Sequence, residues 1–263
     1  MIIGHRGASA LAPENTLAAF ARAIHDGADG VELDVRLTGD GVPVVIHDAT
    51  LRRTALSQGD IMDVSSKDIS QTDVGSWFNR ANPRLARKEY SLEVVPTLEQ
   101  VFSFFKNRAA RGVERTLIYV EMKFDGPAHV SSDLAQAIVQ LVRDYDLQSR
   151  VVVVSFDLMA ITQIKEIEPS LRTGALFAPK SGKTIIRKPH MLTAAVDCGA
   201  DEILLHRVIG SRRIIEMAAE TNLNSVVWTV DDPKWMLRAR SWGIHALITN
   251  NPAVLRQRES AAI

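Results

Sequence analysis

The sequence predicts an α/β protein built as a (β/α)8 TIM barrel with an inserted segment after the second strand. Three observations predict it. Short β-branched runs alternate strictly with amphipathic stretches, eight of each. Shared among eight units, 263 residues give about 33 each, typical of a βα unit. One interval, from Leu37 to Leu98, spends about sixty residues where a single loop would serve.

The elements follow in order. Ile2-Ile3-Gly4 leads a first strand at 2–5. Pro13-Glu14-Asn15-Thr16 marks a helix start, with Asn15 as N-cap of a helix over 16–24. The second strand covers 30–37. The Gly39-Asp40-Gly41 turn then returns the chain into a short extra strand at 43–46, a hairpin partner of the second. Residues 51–95 are polar and mixed, with Pro83 and the basic residues Arg80, Arg84, Arg87 and Lys88. They read as an insertion, about 49–95 in all, on the C-terminal face where barrels build active sites. Trp77 and Phe78 serve either a small core of the insertion or a lid over substrate.

After a helix at 98–105, strands are expected at 116–123, 150–156, 173–177, 201–206, 225–230 and 246–249. Helices are expected at 131–145, 158–167, 189–198, 211–220 and 233–241, with a short one from Pro252. Leu134, Ile138, Leu141, Val142 and Tyr145 recur three or four apart, as a helix packed on a sheet requires. Residues 1–263 are expected to form a single domain.

Composition narrows the function classes. With 46% apolar and 24% charged residues the chain is an ordinary globular protein. Zero net charge supplies no general field for nucleic acid or an anionic membrane. No apolar run approaches the roughly 18 residues of a membrane span, so no stable membrane insertion is expected. The single cysteine, Cys198, cannot form an intrachain disulfide and reads as a buried thiol in an apolar helical run. A strand beginning at Ile2 leaves no room for a secretory signal, and a cytoplasmic location is expected. A homo-oligomer is left open.

Candidate chemistry gathers near the N-terminus. Residues two apart on a strand share a face, so Glu32 and Asp34 project together while Val31, Leu33 and Val35 face the other way. The apolar set suits the helix layer, which turns the carboxylates into the barrel. Glu121 and Lys123 form a similar pair on the third strand. Inward acids on neighbouring strands repel one another unless neutralised. A divalent cation, Mg²⁺ or Ca²⁺ rather than Zn²⁺, would do this, and so would ion pairs with Arg6, Arg36 or Lys123.

His5 and His47 end two strands, bracket the carboxylate pair, and can trade protons near neutral pH. Asp48 pins the following loop. Arg6 offers a planar fork for phosphate oxygens and Lys123 a point charge, unless both serve the acids as salt-bridge partners. Glu14 lies near the mouth, within reach of a ligand hydroxyl. Trp228 serves either as a floor for a glycerol or alcohol carbon chain or as core filling. Ser155-Phe156 line the mouth, without the sequence of a serine nucleophile. His129, His190, His206 and His245 read as structural or exposed.

These residues fall in an ordered set. His-Arg-Gly at 5–7, Pro-Glu-Asn-Thr at 13–16, G-A-D-G-V-E-L-D-V at 27–35, T-G-D-G-V-P-V-V-I-H-D at 38–48 and L-R-R-T at 51–54 together resemble the glycerophosphodiester phosphodiesterase family. P-T-L-E at 96–99, E-M-K at 121–123, S-F at 155–156 and W-T-V at 228–230 agree. The resemblance implies a barrel with an insertion after its second strand, and one divalent metal ion on Glu32, Asp34 and Glu121. It implies His5 and His47 as the acid–base pair, Arg6 and Lys123 at the phosphate, and Glu14 and Asn15 lining the site. The chain departs from the family's Thr-Asp-x-Pro near its end, reading Thr249-Asn250-Asn251-Pro252. That loses a charge and bears on the loop and the substrate range.

The expected function is metal-dependent hydrolysis of a small molecule, a glycerophosphodiester, to glycerol 3-phosphate and an alcohol. A lysophospholipase D-type phosphodiesterase is the nearest alternative and requires a groove for a lipid tail in the insertion. Schiff-base chemistry at Lys123 is disfavoured, because the acids beside it keep the amine protonated. A non-catalytic binding barrel would be expected to lack one of the two histidines or three acids, and all five are present.

Overall fold

A computed structural model describes residues 1–109, 116–123, 128–179 and 188–260. Eight strands run parallel: β1 (Ile2–His5), β2 (Gly30–Leu37), β4 (Leu117–Met122), β5 (Val151–Ser155), β6 (Arg172–Phe177), β7 (Glu202–His206), β8 (Asn224–Trp228) and β9 (Ala246–Thr249). β1 pairs with both β2 and β9, which closes the sheet into a barrel. The hairpin strand β3 (Pro43–Val45) lies outside the ring and pairs antiparallel with β2, Val45 opposite Val35.

Helices return the chain between strands: α1 (Leu17–His25), α4 (Leu98–Ala109), α5 (Ala128–Asp144), α6 (Leu158–Ile167), α7 (Lys188–Asp197), α8 (Arg212–Glu220), α9 (Lys234–Trp242) and α10 (Pro252–Ser260). The strand faces divide as the two-residue period demands. Val31, Leu33 and Val35 meet Phe20, Phe102, Phe105 and Ile138 in the layer between sheet and helices. Full burial of each large apolar side chain contributes about 1.5–3 kcal/mol. The other face fills the barrel with Ile3, Tyr119, Val152, Leu204, Val226 and Ile248. Below the site, Tyr119 donates a 3.0 Å hydrogen bond to the buried carboxylate of Glu202, whose proton affinity burial pushes up to about 7.

The insertion carries two short helices, α2 (Ser66–Ile69) and α3 (Ser76–Ala81). It is held by its own apolar contacts. Leu51, Ile61, Ile69, Val74 and Val95 close on Val44 and Ile46 of the hairpin. Phe78 and Tyr90 stack edge-on at 5.7 Å and pack against Ala12 and Ala19. Phe78 therefore belongs to a small core. Trp77 packs at that core's edge and lies under the Arg53 guanidinium at 5.9 Å.

One local expectation is corrected. Thr16, not Asn15, caps α1, its hydroxyl accepting from Ala19 N–H at 3.2 Å. Asn15 instead takes a left-handed turn, φ +58°, and turns its amide toward β2. Asparagine is one of the few side chains that tolerates this conformation. Cys198 is buried, its thiol donating to Ala195 O. No helix among the described residues is long and apolar enough to cross a membrane.

Candidate active site

Strand register assembles the site. His5 lies directly across from Glu32 between β1 and β2, and Asp34 directly across from Glu121 between β2 and β4. Facing residues on adjacent strands project to the same side, so both pairs enter the barrel mouth. Glu32, Asp34 and Glu121 are buried, and each brings a carboxylate oxygen within 4.8 Å of the others.

Three such acids cannot all keep their charge unaided. Burial, then the charges of Asp34 and Glu121, push Glu32 well above the usual carboxylate range. Burial and Asp34 push Glu121 up to about 7. Burial also works against the charge on Asp34, yet Arg6, Lys123 and His47 outweigh it and hold this carboxyl well below its ordinary value.

The oxygens are left open toward one another. Glu32 Oε1 has no hydrogen bond among the described residues. Among the described residues, Asp34 Oδ1 and Glu121 Oε1 have only the Lys123 ammonium, at 3.2 and 2.6 Å. A buried acceptor without a donor is costly, and a hard divalent cation would satisfy all three. The triad can hold a metal ion.

Arg6 is aimed by the turn after β1. Arg6 has φ +53° and Gly7 φ +82°. A Cβ at Gly7 would fall 2.5 Å from the Ala19 carbonyl carbon, so only glycine fits there. The turn directs Arg6 N–H to Glu32 Oε2 at 2.9 Å and the guanidinium to Glu14 at 2.8 Å and Asp34 at 3.2 Å. Asn15 holds Asp34 from the other side, donating to Oδ2 at 2.8 Å and accepting from its backbone N–H at 3.2 Å. Both Glu14 oxygens are taken by Arg6 and Arg53. Glu14 and Asn15 thus line the site while their polar atoms serve its neighbouring side chains.

The histidines stand on different supports. His47 Nδ1 lies 2.6 Å from Asp48 Oδ1, and Arg53 Nε donates to the other oxygen of that carboxylate at 2.7 Å. Arg53 holds Asp48 down to about 2, against the effect of burial, so the carboxylate is charged. His5 Nδ1 lies 2.7 Å from Asn250 Oδ1, and its Nε2 is 3.9 Å from Glu32 Oε2. Burial lowers both imidazoles below their ordinary value. Arg6 adds to it at His5, and Arg6 with Lys123 at His47. Both shifts favour the neutral form of the ring.

All of this surrounds one cavity of about 140 Å³. His5, Arg6, Glu32, His47, Glu121 and Lys123 form its polar wall. Val154, Phe156, Leu176, Leu204, Trp228 and Ile248 form the apolar wall opposite. Phe156 and Trp228 meet edge-on at 5.6 Å, and His206 packs on the Trp228 ring at 5.1 Å. Ser155 turns away to bond the Met122 carbonyl. His190 is exposed and His245 half-buried, both away from this cavity. The His129 side chain lies outside the described residues.

The sequence-predicted residues His5, Arg6, Glu14, Asn15, Glu32, Asp34, His47, Glu121, Lys123 and Trp228 all reach this site or its immediate supports. Three others were missed as contributors. Asp48 orients His47 rather than only pinning its loop, and its position next to a strand-ending histidine was the available signal. Arg53 sits in the L-R-R-T motif. Asn250 stood out only as the departure from the family's Thr-Asp-x-Pro; its contact with His5 depends on barrel closure, which brings residue 250 to residue 5.

Comparison with known proteins identifies the family. The model of the glycerophosphoryl diester phosphodiesterase family matches residues 5–254. The chain is similar to the glycerophosphodiester phosphodiesterase of Caldanaerobacter subterraneus subsp. tengcongensis, 29% identical over 97% of this chain and 96% of that one. It is also similar to the enzyme of that name from Bacillus subtilis, 30% identical over 96% of this chain and 84% of that one. Its fold resembles an Oleispira antarctica phosphodiesterase solved with the product sn-glycerol-3-phosphate. The TM-score is 0.84 at 23% identity, over 99% of this chain and 96% of that one. The chain belongs to the glycerophosphoryl diester phosphodiesterase family, a family of hydrolases.

Proposed function

We propose that this protein hydrolyses glycerophosphodiesters to glycerol 3-phosphate and an alcohol, using one divalent metal ion and the pair His5 and His47. The observation that carries the reading is the buried triad of Glu32, Asp34 and Glu121 beside one small cavity lined by two imidazoles and two cations. Glu32, Asp34 and Glu121 would hold Mg²⁺ or Ca²⁺. A bound ion there supplies positive charge against the charge developing on the phosphoryl oxygens.

The remaining steps fall to side chains. Arg6 and Lys123 bind phosphate oxygens, Arg6 as a fork held by Glu14 and Lys123 as a point charge. A neutral imidazole accepts the proton of the nucleophile, either water or the neighbouring glycerol hydroxyl. The other imidazole, once protonated, donates to the leaving alcohol. The Trp228 ring forms the floor under the glycerol carbons. A reducing, cytoplasmic setting suits the free thiol of Cys198.

The test is a panel of glycerophosphodiesters and lysophosphatidylcholine, run after EDTA and again with each metal restored. His5→Ala and His47→Ala should each lower turnover about 10²–10⁴-fold. Near-normal turnover in both variants would sink the proton-transfer reading.

A further inference from the structure

Asn250 follows the last barrel strand and touches the ring of the first strand's terminal histidine. We propose that Asn250, held by Asp231, is a positioning residue that fixes His5 in one tautomer, with the proton on Nδ1 and the Nε2 lone pair presented to the cavity. The kinetic part of this inference rests on the reading of His5 as a proton carrier, whereas the tautomer itself does not.

The orientation of the Asn250 amide is decided by its other partner. Its Nδ2 lies 2.8 Å from Asp231 Oδ2, and a carboxylate can only accept. The amide nitrogen must therefore face Asp231, which leaves Oδ1 facing His5 Nδ1 at 2.7 Å. An amide oxygen also only accepts, so the hydrogen sits on Nδ1. Ser9 Oγ donates to the same oxygen at 2.9 Å, filling its second lone pair. Each end of the amide is thus committed, and rotation would set Oδ1 against the Asp231 carboxylate, two acceptors face to face.

Asp231 is fixed in its turn. Its Oδ1 accepts from Asn250 N–H at 2.8 Å and from the Thr249 hydroxyl at 2.9 Å. The chain of constraint runs from this carboxylate through a neutral amide to the imidazole. His47, by contrast, bonds a carboxylate directly. The two rings therefore differ in kind. His5 has a partner that sets its tautomer without carrying charge, and His47 has one that also supports an imidazolium.

The experiment reads the His5 ring and the rate separately. Nitrogen NMR shifts of His5 would be recorded at a pH where the ring is neutral, with signals assigned against His5→Ala. The wild type should show the Nδ1–H form. Asn250→Ala should shift population to the Nε2–H form and lower kcat about 10- to 100-fold, with KM changed less than about threefold. Exchanging the pair, N250D with D231N, restores an acceptor for His5 and a donor between the two side chains. It should recover the Nδ1–H form and bring kcat to within about threefold of wild type. N250D alone keeps an acceptor for His5 but sets two carboxylates against each other, so its kcat should stay below that of the exchange variant. Persistence of the Nδ1–H form in Asn250→Ala, or a folded exchange variant as slow as Asn250→Ala, would overturn the proposal. Full activity in His5→Ala would instead overturn the catalytic reading and leave the tautomer result standing.

Discussion

His47 Nδ1 and Asp48 Oδ1 are 2.6 Å apart, and Arg53 secures the far oxygen of the same carboxylate at 2.7 Å. Adjacent residues rarely meet so directly along an extended strand. Here the chain leaves β3 at Val45, and the ring and carboxylate turn back on each other. Arg53 joins this pair to Glu14, and through Glu14 to Arg6.

Asp48→Asn keeps the side chain's shape and removes its charge. The variant should lose about 10- to 100-fold in kcat with little change in KM, because an imidazolium at His47 forfeits its counter-charge. Steady-state kinetics with glycerophosphocholine would check this. An unchanged kcat would show that His47 works without the carboxylate.

The acid triad makes a prediction about stability as well as rate. Mg²⁺ or Ca²⁺ at about 100 times its dissociation constant should stabilise the wild type by about 2.7 kcal/mol, seen as a raised Tm. Glu32 is driven toward its neutral form when no cation is present. Glu32→Gln should therefore keep the metal-free Tm at or above that of the wild type and abolish the metal-induced rise. A variant that still gains stability on adding metal would place the ion elsewhere.

Glu202 offers a pH test remote from catalysis. Its folded value, about 7, lies above the ordinary 4.5. The folded state thus binds this proton more tightly than the unfolded one. The contribution is full below pH 4.5 and is lost as pH rises through 7. Glu202→Gln should be more stable than wild type at alkaline pH, by up to about 3 kcal/mol, and lose that advantage in acid. Parallel stability curves across this range would contradict it.

Gly7→Ala adds a methyl group 2.5 Å from the Ala19 carbonyl carbon at a residue with φ +82°. The substitution should cost about 1–3 kcal/mol and disturb Arg6, which the same turn aims. Chemical denaturation would give the first effect. A raised KM for the phosphodiester would give the second.

Much of this was legible along the chain. Glu32 and Asp34 share a face because strands repeat every two residues, and Val31, Leu33 and Val35 take the helix side for the same reason. The insertion showed as an interruption of the βα rhythm, and the family as an ordered set of motifs. The N-cap of α1 was misplaced by one residue because Asn15 and Thr16 both carry capping side chains. The choice fell to Thr16 once Asn15 was drawn to Asp34.

The sequence by itself determined the strand faces, the inward acids and the two strand-ending histidines, since these follow from local periodicity and residue chemistry. Only the tertiary structure decided which acid faces which group, because strand register is a relation between segments. Asp34 meets Glu121, and His5 meets Glu32, only when β2 pairs with β4 and with β1. Closure of β1 on β9 brought Asn250 to His5, across 245 positions of chain. No local propensity encodes such a contact. It arises because a barrel has no free edge, so its last strand must finish beside its first.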